Sequence, residues 1–324
     1  MTSFVKPNVF ISACIEFESC RYDGEKIKND YVERLLPFVN VTRTCPELAI
    51  GLGAPREALR LVERKGESLK LLSTQHAYDY TKIMKDYSDG YIEKLSNIEL
   101  DGFILKAKSP TCGLSNVKVY YDIGKANVKG GKRPGIFGGK IAEKFPKHPK
   151  ETDRRLSNYN IRDRFFTEIF TLADYREMKA EPSMKKLVAF HSKNKYLFMT
   201  YHQYIVKRMG NIVANHNKIP IVDVMKLYED ELYKLFKSDP TKKKRINILE
   251  HIYGYFKNDV SKPEKNYYFE ELEKYRQGQV PYSNVLIILK GWTIRFDESY
   301  LMNQTIFNPY PSELVMVTDS GKNV

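Results

Sequence analysis

Three short apolar runs in the first half of the chain each lead into a polar loop. They are Asn8 to Ala13, with Val9, Phe10 and Ile11 in succession, Phe38 to Val41, and Gly102 to Leu105. Short continuous runs bounded by loop residues predict buried strands. Between them, Tyr78 to Leu95 has helical spacing, with Ile83, Tyr87 and Tyr91 on one face. Strands alternating with helices predict an α/β domain with a mostly parallel sheet and flanking helices. In such sheets ligands bind beyond the carboxyl ends of the strands.

The period changes after the polar, Pro-containing segment 146–160, read as a linker or the start of a second domain. Asp163 to Met178 is amphipathic. Pro220 and Asp223 open a helix with Met225, Tyr228, Leu232 and Leu235 on one stripe. Thr241 to Phe256 and Pro263 to Arg276 predict further helices, the second ended by Gly278 and Pro281. Val285 to Leu289 reads either as a short strand or as part of a core helix. The expectation is an α/β domain over residues 1–150 and an all-α domain over 151–324, a division that suits 324 residues. No internal repeat or low-complexity tract interrupts it.

Composition narrows the class. At 42% hydrophobic and 29% charged, the chain has the balance of a folded globular protein and enough apolar mass for a core. No apolar run approaches the ~20 residues of a membrane span. Met1 to Asn8 lacks the basic and apolar regions of a signal peptide. Four cysteines in 324 residues do not make a disulfide scaffold. The expected setting is cytoplasmic, with reduced thiols. The net charge of +13 points to an anionic partner, nucleic acid or a phosphorylated substrate. Charge does not separate the halves. Residues 1–155 carry 27 basic and 20 acidic side chains and the remainder 26 and 20, hence +7 and +6.

The cysteines are spaced C-x5-C-x24-C-x66-C, with no Cys-x-x-Cys pair. This excludes the usual zinc-ribbon and local ferredoxin patterns. Cys14, Cys45 and Cys112 each follow a predicted strand and stand among polar, Gly or Pro residues. Two readings remain from the residues alone: buried thiols that fill a core, or a three-cysteine metal or cluster site.

Four motifs follow in order: Ile11-Ser12-Ala13-Cys14; Cys20-Arg21-Tyr22-Asp23-Gly24; Cys45-Pro46-Glu47 with Ile50 to Arg56; and Asp101 to Gly113, containing Ser109-Pro110-Thr111-Cys112-Gly113. Together, over about residues 7–145, they resemble the TudS-type thiouracil desulfidase family. Ala189-Phe190-His191-Ser192 with Tyr196, His251 to Lys257, Tyr275 to Pro281 and Asn308-Pro309-Tyr310-Pro311 resemble the helical domain fused to this module in RudS-type tRNA 4-thiouridine desulfidases.

The resemblance implies a [4Fe-4S] cluster held by Cys14, Cys45 and Cys112, with one iron open to a soft sulfur ligand. Non-redox attack of water on a polarised thiocarbonyl would then release sulfide. Glu47 would act as acid or base, and Ser109 would hydrogen-bond the base or the water. The structural alternatives are an ion pair of Glu47 with Arg43 or Arg56, and a loop cap for Ser109. Cys20 is the spare thiol, read as a buried packing residue. The family usually has Ser where Thr111 stands, so a substrate contact there would have to accommodate an added methyl.

Candidate substrate or phosphate contacts are Arg21, Asp23, Lys106 and Thr111, with Lys132 and Arg133 in the Gly-rich basic segment 130–140, otherwise a flexible turn. Lys242, Lys243, Lys244 and Arg245 are candidate RNA contacts, or else a solvated helix face. Fifteen of the 23 tyrosines follow residue 155, a source of base-stacking surface or of core. His191 and His251 read as structural or RNA-contacting. The resemblance makes thiolated tRNA the expected partner, with no membrane and no obligate protein partner. Free thiouracil or a thiolated nucleotide is the first alternative substrate. A non-catalytic RNA-binding protein is the second alternative.

Overall fold

The computed structural model describes residues 4–315, so the start of the N-terminal stretch read for a signal peptide lies outside the described residues. Among the described residues eight strands run in chain order: β1 (Asn8–Ser12), β2 (Asn40–Thr44), β3 (Leu59–Val62), β4 (Lys70–Ser73), β5 (Gly102–Leu105), β6 (Val117–Tyr120), β7 (Val128–Arg133) and β8 (Lys150–Thr152). The helices are α1 (Asp30–Leu35), α2 (Pro46–Ala49), α3 (Thr81–Leu95), α4 (Ile136–Lys144), α5 (Tyr159–Ala180), α6 (Met184–Ala214), α7 (Ile221–Leu235), α8 (Lys242–Phe256), α9 (Lys262–Gln277), α10 (Tyr282–Arg295) and α11 (Ser299–Met302). None is long and apolar enough to cross a membrane among the described residues.

The chain forms two compact units. One runs to Asp174 and resumes at Tyr310; the other is Tyr175–Pro309. The division therefore differs from the expected boundary near 150. The polar segment there is not a linker, because Lys150–Thr152 forms β8 at the sheet edge. Phe165, Phe166, Ile169 and Phe170 of α5 are buried in the first unit's core. After the second unit, Tyr310 returns and donates its hydroxyl to Asp163 at 2.7 Å.

The first unit is α/β. Its main sheet has the order β2-β1-β5-β8 with every pair parallel. The run at β1 is continuous because both faces are covered. Val9 and Ile11 pack with Val32, Leu35 and the α5 aromatics. Phe10 packs on the other side with Phe103, Phe137 and Ile141. A second sheet, β4-β3-β6-β7, is mixed, with β3 and β6 parallel and both outer pairs antiparallel. The helix predicted over 78–95 is α3, but its buried face carries Met84, Ser88, Ile92 and Leu95; Ile83 is 47% exposed.

The described part of the second unit is all helical, as expected. The stripe Met225, Tyr228, Leu232 and Leu235 is buried along α7. Val285–Leu289 falls inside α10, which resolves its ambiguity in favour of a helix. Thr241 caps α8, and Gly278 ends α9 at φ 81°, a left-handed position that glycine adopts without steric cost. Tyr175, Tyr201, Tyr228 and Tyr268 are fully buried, so these rings are core rather than base-stacking surface.

Candidate functional site

Because the main sheet is parallel, the loops leaving its four strands emerge at one edge. β1 delivers Ala13 and Cys14, β2 delivers Cys45, β5 delivers Lys106 to Cys112, and β8 delivers Asp153 and Arg154. These loops enclose a cavity of about 430 Å³. All four cysteines line it. Pro46 opens α2 and so turns the chain immediately after Cys45.

Cys20 does not simply fill the core. It is buried, yet its thiol hydrogen-bonds those of Cys14 and Cys45. That shared bonding with Cys14, aided by burial, pushes the Cys20 thiol up to about 12. The bond with Cys20, with burial, holds Cys45 well above its ordinary value, and burial does the same for Cys112. Protonation is thus favoured at Cys20, Cys45 and Cys112, and thiols must lose their protons to bind a metal. Among the described residues, no three His, Cys, Asp or Glu side chains converge as one metal ion would require.

Glu47 is held on both carboxylate oxygens. Arg56 Nε donates to Oε2 at 2.9 Å and its Nη2 to the same oxygen. Thr111 Oγ1 donates to Oε1 at 2.8 Å. The pair is nearly enclosed, with 13% of the Glu47 side chain and 8% of Arg56 exposed. Arg56 Nη1 also donates to the carbonyls of Cys20, at 3.0 Å, and Gly53, at 2.9 Å. Arg43 pairs instead with Glu18 at 3.3 Å. Thr111, expected to contact substrate, is buried behind Glu47 and does not line the cavity. Its methyl therefore lies outside the cavity lining.

Ser109 lines the cavity and caps its own loop. Its Oγ accepts the amides of Cys112 at 3.0 Å and Thr111 at 3.2 Å, which fixes the turn that presents Cys112. From behind, Gly135 and Gly138 press on this loop. A Cβ at Gly135 would strike the Thr111 carbonyl, and one at Gly138 the carbonyls of Cys112 and Gly113. The Gly-rich basic segment is thus neither a phosphate loop nor a flexible turn. It is the end of β7 followed by α4. Lys132 and Arg133 lie on the second sheet outside the cavity, with Arg133 paired to Glu63 at 3.1 Å.

Arg21 and Lys106 line the cavity as expected. Asp23 does not; it pairs with Arg21 at 2.8 Å and accepts the Glu25 amide. Lys106 Nζ donates to Asp153 Oδ2 at 3.0 Å. In the other unit, Lys244 Nζ donates to the carbonyls of Tyr201 and Asp239, Lys242 Nζ donates to the Arg276 carbonyl, and Arg245 lies 4.8 Å over the Tyr282 ring. These three side chains thus also tie helices together, while Lys243 is exposed. His191 Nδ1 lies 3.1 Å from the Tyr228 hydroxyl, while His251 is exposed.

Ser12, Arg154 and Asp153 were not singled out from the sequence. Ser12 Oγ accepts the Lys106 amide at 3.1 Å and bonds the Cys112 thiol. The signal for Asp153 and Arg154 was the short Lys150–Thr152 run, too brief to register as a fourth parallel strand.

With this geometry in place, the comparison with known families becomes specific. Residues 9–153 match the 2-thiouracil desulfurase family. The matched segment contains the four strands of the main sheet, save Asn8 at the start of β1, and every residue that lines the cavity except Arg154. Residues 195–311 match a family of unknown function, DUF1722. The uncharacterized Escherichia coli (strain K12) protein YbgA is 23% identical over 151 residues, 46% of this chain and 89% of its own. The uncharacterized Bacillus subtilis (strain 168) protein YbbK is 26% identical over 109 residues, 32% of this chain and 72% of its own. The solved TudS, a [4Fe-4S]-dependent thiouracil desulfidase, is 22% identical, covering 47% of this chain and 94% of that one, with a TM-score of 0.37.

Proposed function

We propose that the first unit removes sulfur from a thiolated pyrimidine, with 4-thiouridine in tRNA as the substrate and uridine and sulfide as products. The observation that carries the reading is the convergence of four thiols, Glu47 and Ser109 on one cavity within a segment that matches the 2-thiouracil desulfurase family.

The donor set fits an iron–sulfur cluster. Its sulfurs come from separate loops and line a cavity with room for a group of several atoms. Cys14, Cys45 and Cys112 would hold a [4Fe-4S] cluster, each from the end of a different parallel strand or its loop. When bound, such a cluster with an open iron supplies a soft Lewis acid for a thiocarbonyl sulfur. The chain's own residues do the rest. Glu47, fixed by Arg56 and Thr111, would take a proton from the attacking water and pass it to the departing sulfur, so that both protons of water leave with the sulfide and the ring N–H is unchanged. Ser109, whose oxygen is occupied by two amides, keeps its own proton to donate into the cavity. Arg56 and Thr111 position the base, Thr111 from outside the cavity and Arg56 from its wall.

The tRNA assignment is supported by the net charge of +13 and its spread over both halves of the chain. A base inside folded RNA must be unstacked to reach the cavity, at a cost of about a few kcal/mol. The second reading, free thiouracil as substrate, is favoured by the description of the matching family. Anaerobic incubation of the cluster-loaded protein with thiolated tRNA and, in parallel, with free 4-thiouracil decides between them. Conversion of 4-thiouridine to uridine on nucleoside analysis is expected. Turnover of the free base alone would transfer the assignment to the second reading, and turnover of neither would overturn both.

A further inference from the structure

The outer face of the second sheet carries a row of three cations. Val117 and Val119 of β6, Leu61 of β3 and Leu71 of β4 form one buried cluster on its inner face. Side chains alternate along a strand. Arg60 and Lys118, each one position before the paired Leu61 and Val119, therefore project from the opposite face. Lys132 of β7 stands directly across from Lys118 and shares that face. Neighbouring strands lie about 4.8 Å apart, so the three positions span about 10 Å. Lys118 and Lys132 are exposed. Arg60 Cζ lies 3.8 Å from the centre of the Tyr120 ring, and Nη1 donates to the Gly124 carbonyl at 2.8 Å. Among the described residues none of the three has a carboxylate partner. The carboxylates that follow β3 and β6 are matched to other cations, Glu63 to Lys129 and Arg133, and Asp122 to Arg64. Like charges directly opposite each other destabilise a sheet, so folding does not account for the row. Beside it on the edge strand, a Cβ at Gly130 or Gly131 would meet nothing within 4 Å, which leaves the surface bare. The row also adjoins the cysteine-lined cavity. Ala58 and Leu59 line that cavity, and Arg60 is the next residue of β3.

We infer, on the tRNA reading of the substrate, that this face is the nucleic-acid surface of the first unit: the RNA backbone crosses it while one base enters the cysteine-lined cavity. A row about 10 Å long is wider than a single phosphate group needs, so it fits the repeated phosphates of a chain rather than one anion. Ammonium groups meet phosphate as point charges, and the guanidinium adds a planar fork. Because Arg60 follows two cavity residues in sequence, phosphates held by the row lie next to the nucleotide delivered to the cavity. Free thiouracil has no group for this surface, so the row has a use only when the base arrives on a chain.

The test is titration of the full-length protein with an unmodified tRNA transcript over a range of salt concentrations. Each phosphate contact adds about 0.7–0.9 to the slope of log affinity against log salt. Lys118→Gln and Lys132→Gln should each lower the slope by about that amount and weaken binding about fivefold at about 0.15 M salt. Arg60→Gln should do the same, and Arg60→Lys should restore the slope. Lys82→Gln, at an exposed side chain of α3 outside the row, should leave affinity and slope unchanged. The melting temperature should hold or rise in the two lysine variants, because removing one of two facing like charges relieves repulsion. In Lys118→Gln the KM for thiolated tRNA should rise with the loss of affinity, while turnover of free 4-thiouracil stays at the wild-type level. Row variants that bind tRNA with wild-type affinity and slope would overturn the surface, even where the wild type desulfurates thiolated tRNA. Polyglutamate bound as tightly as tRNA through the same three side chains would reassign the row to an acidic protein and overturn it too. Binding of tRNA that the row variants lose, in a wild type that desulfurates only free thiouracil, would keep the row as an RNA surface and remove the tRNA-substrate reading.

Discussion

Thr111 donates its hydroxyl to Glu47 Oε1 at 2.8 Å from a fully buried position. This bond joins the loop that carries Cys112 to the carboxylate that follows Cys45. Thr111→Val would leave one carboxylate oxygen without its donor. A hydrogen bond to a charged group is worth about 1.5–3 kcal/mol, so kcat for anaerobic sulfide release should fall about tenfold or more with KM little changed. Thr111→Ser should retain most activity. Wild-type kcat in the valine variant would remove Thr111 from the machinery.

Arg56 couples the same carboxylate to the backbone of two further segments. Arg56→Ala would strip a nearly enclosed carboxylate of its partner and leave the Cys20 and Gly53 carbonyls without their donor. Removing one partner of a buried pair costs about 3–5 kcal/mol. Chemical denaturation should report a loss near the lower bound, because 13% of Glu47 still meets solvent. The double variant with Glu47→Gln should recover part of that loss, which a merely additive pair would not.

The thiols separate by function. Cys14→Ser, Cys45→Ser and Cys112→Ser should each abolish sulfide release and lower bound iron on anaerobic reconstitution. Cys20→Ser should keep most of both, even though its thiol touches two of the others. Loss of iron in Cys20→Ser alone would change the ligand set.

Gly138 lets α4 approach the Cys112 loop. Gly138→Ala would force a methyl against the Cys112 and Gly113 carbonyls. Overpacking of this kind costs about 1–3 kcal/mol, and the displaced loop should also weaken iron binding. Iron content and melting temperature measured together check both effects.

His191 and His148 make stability depend on pH. Burial depresses each to about 4, against an unfolded value near 6.5. The unfolded chain therefore takes up these protons first as pH falls. The contribution is fully present above about pH 6.5 and is lost between about 6.5 and 4, at about 1.4 kcal/mol per pH unit for each group. Denaturant titrations across this range should show a flatter dependence for His191→Gln than for the wild type. An unchanged slope would show that the buried imidazole does not stay neutral.

What the sequence determined by itself was local. Continuous apolar runs marked β1 and β5, because strands covered on both faces have no polar side to show. The caps Thr241 and Gly278 and the stripe on α7 placed helices, because helical period is a property of neighbouring residues. The Cys-Pro-Glu and Ser-Pro-Thr-Cys motifs named the reactive groups. Tertiary structure alone decided which of them meet. β8 is three residues long and gains its place from the edge of β5, so its polar flanks looked like a linker and concealed Asp153 and Arg154. Thr111 and Glu47 are 64 residues apart, and their partnership exists only because parallel strands deliver both loops to one edge. The glycines at 135 and 138 read as a flexible loop, whereas packing uses their missing side chains to seat α4. Spacing along the chain carries no record of such contacts, because burial and charge pairing are set by distance in space.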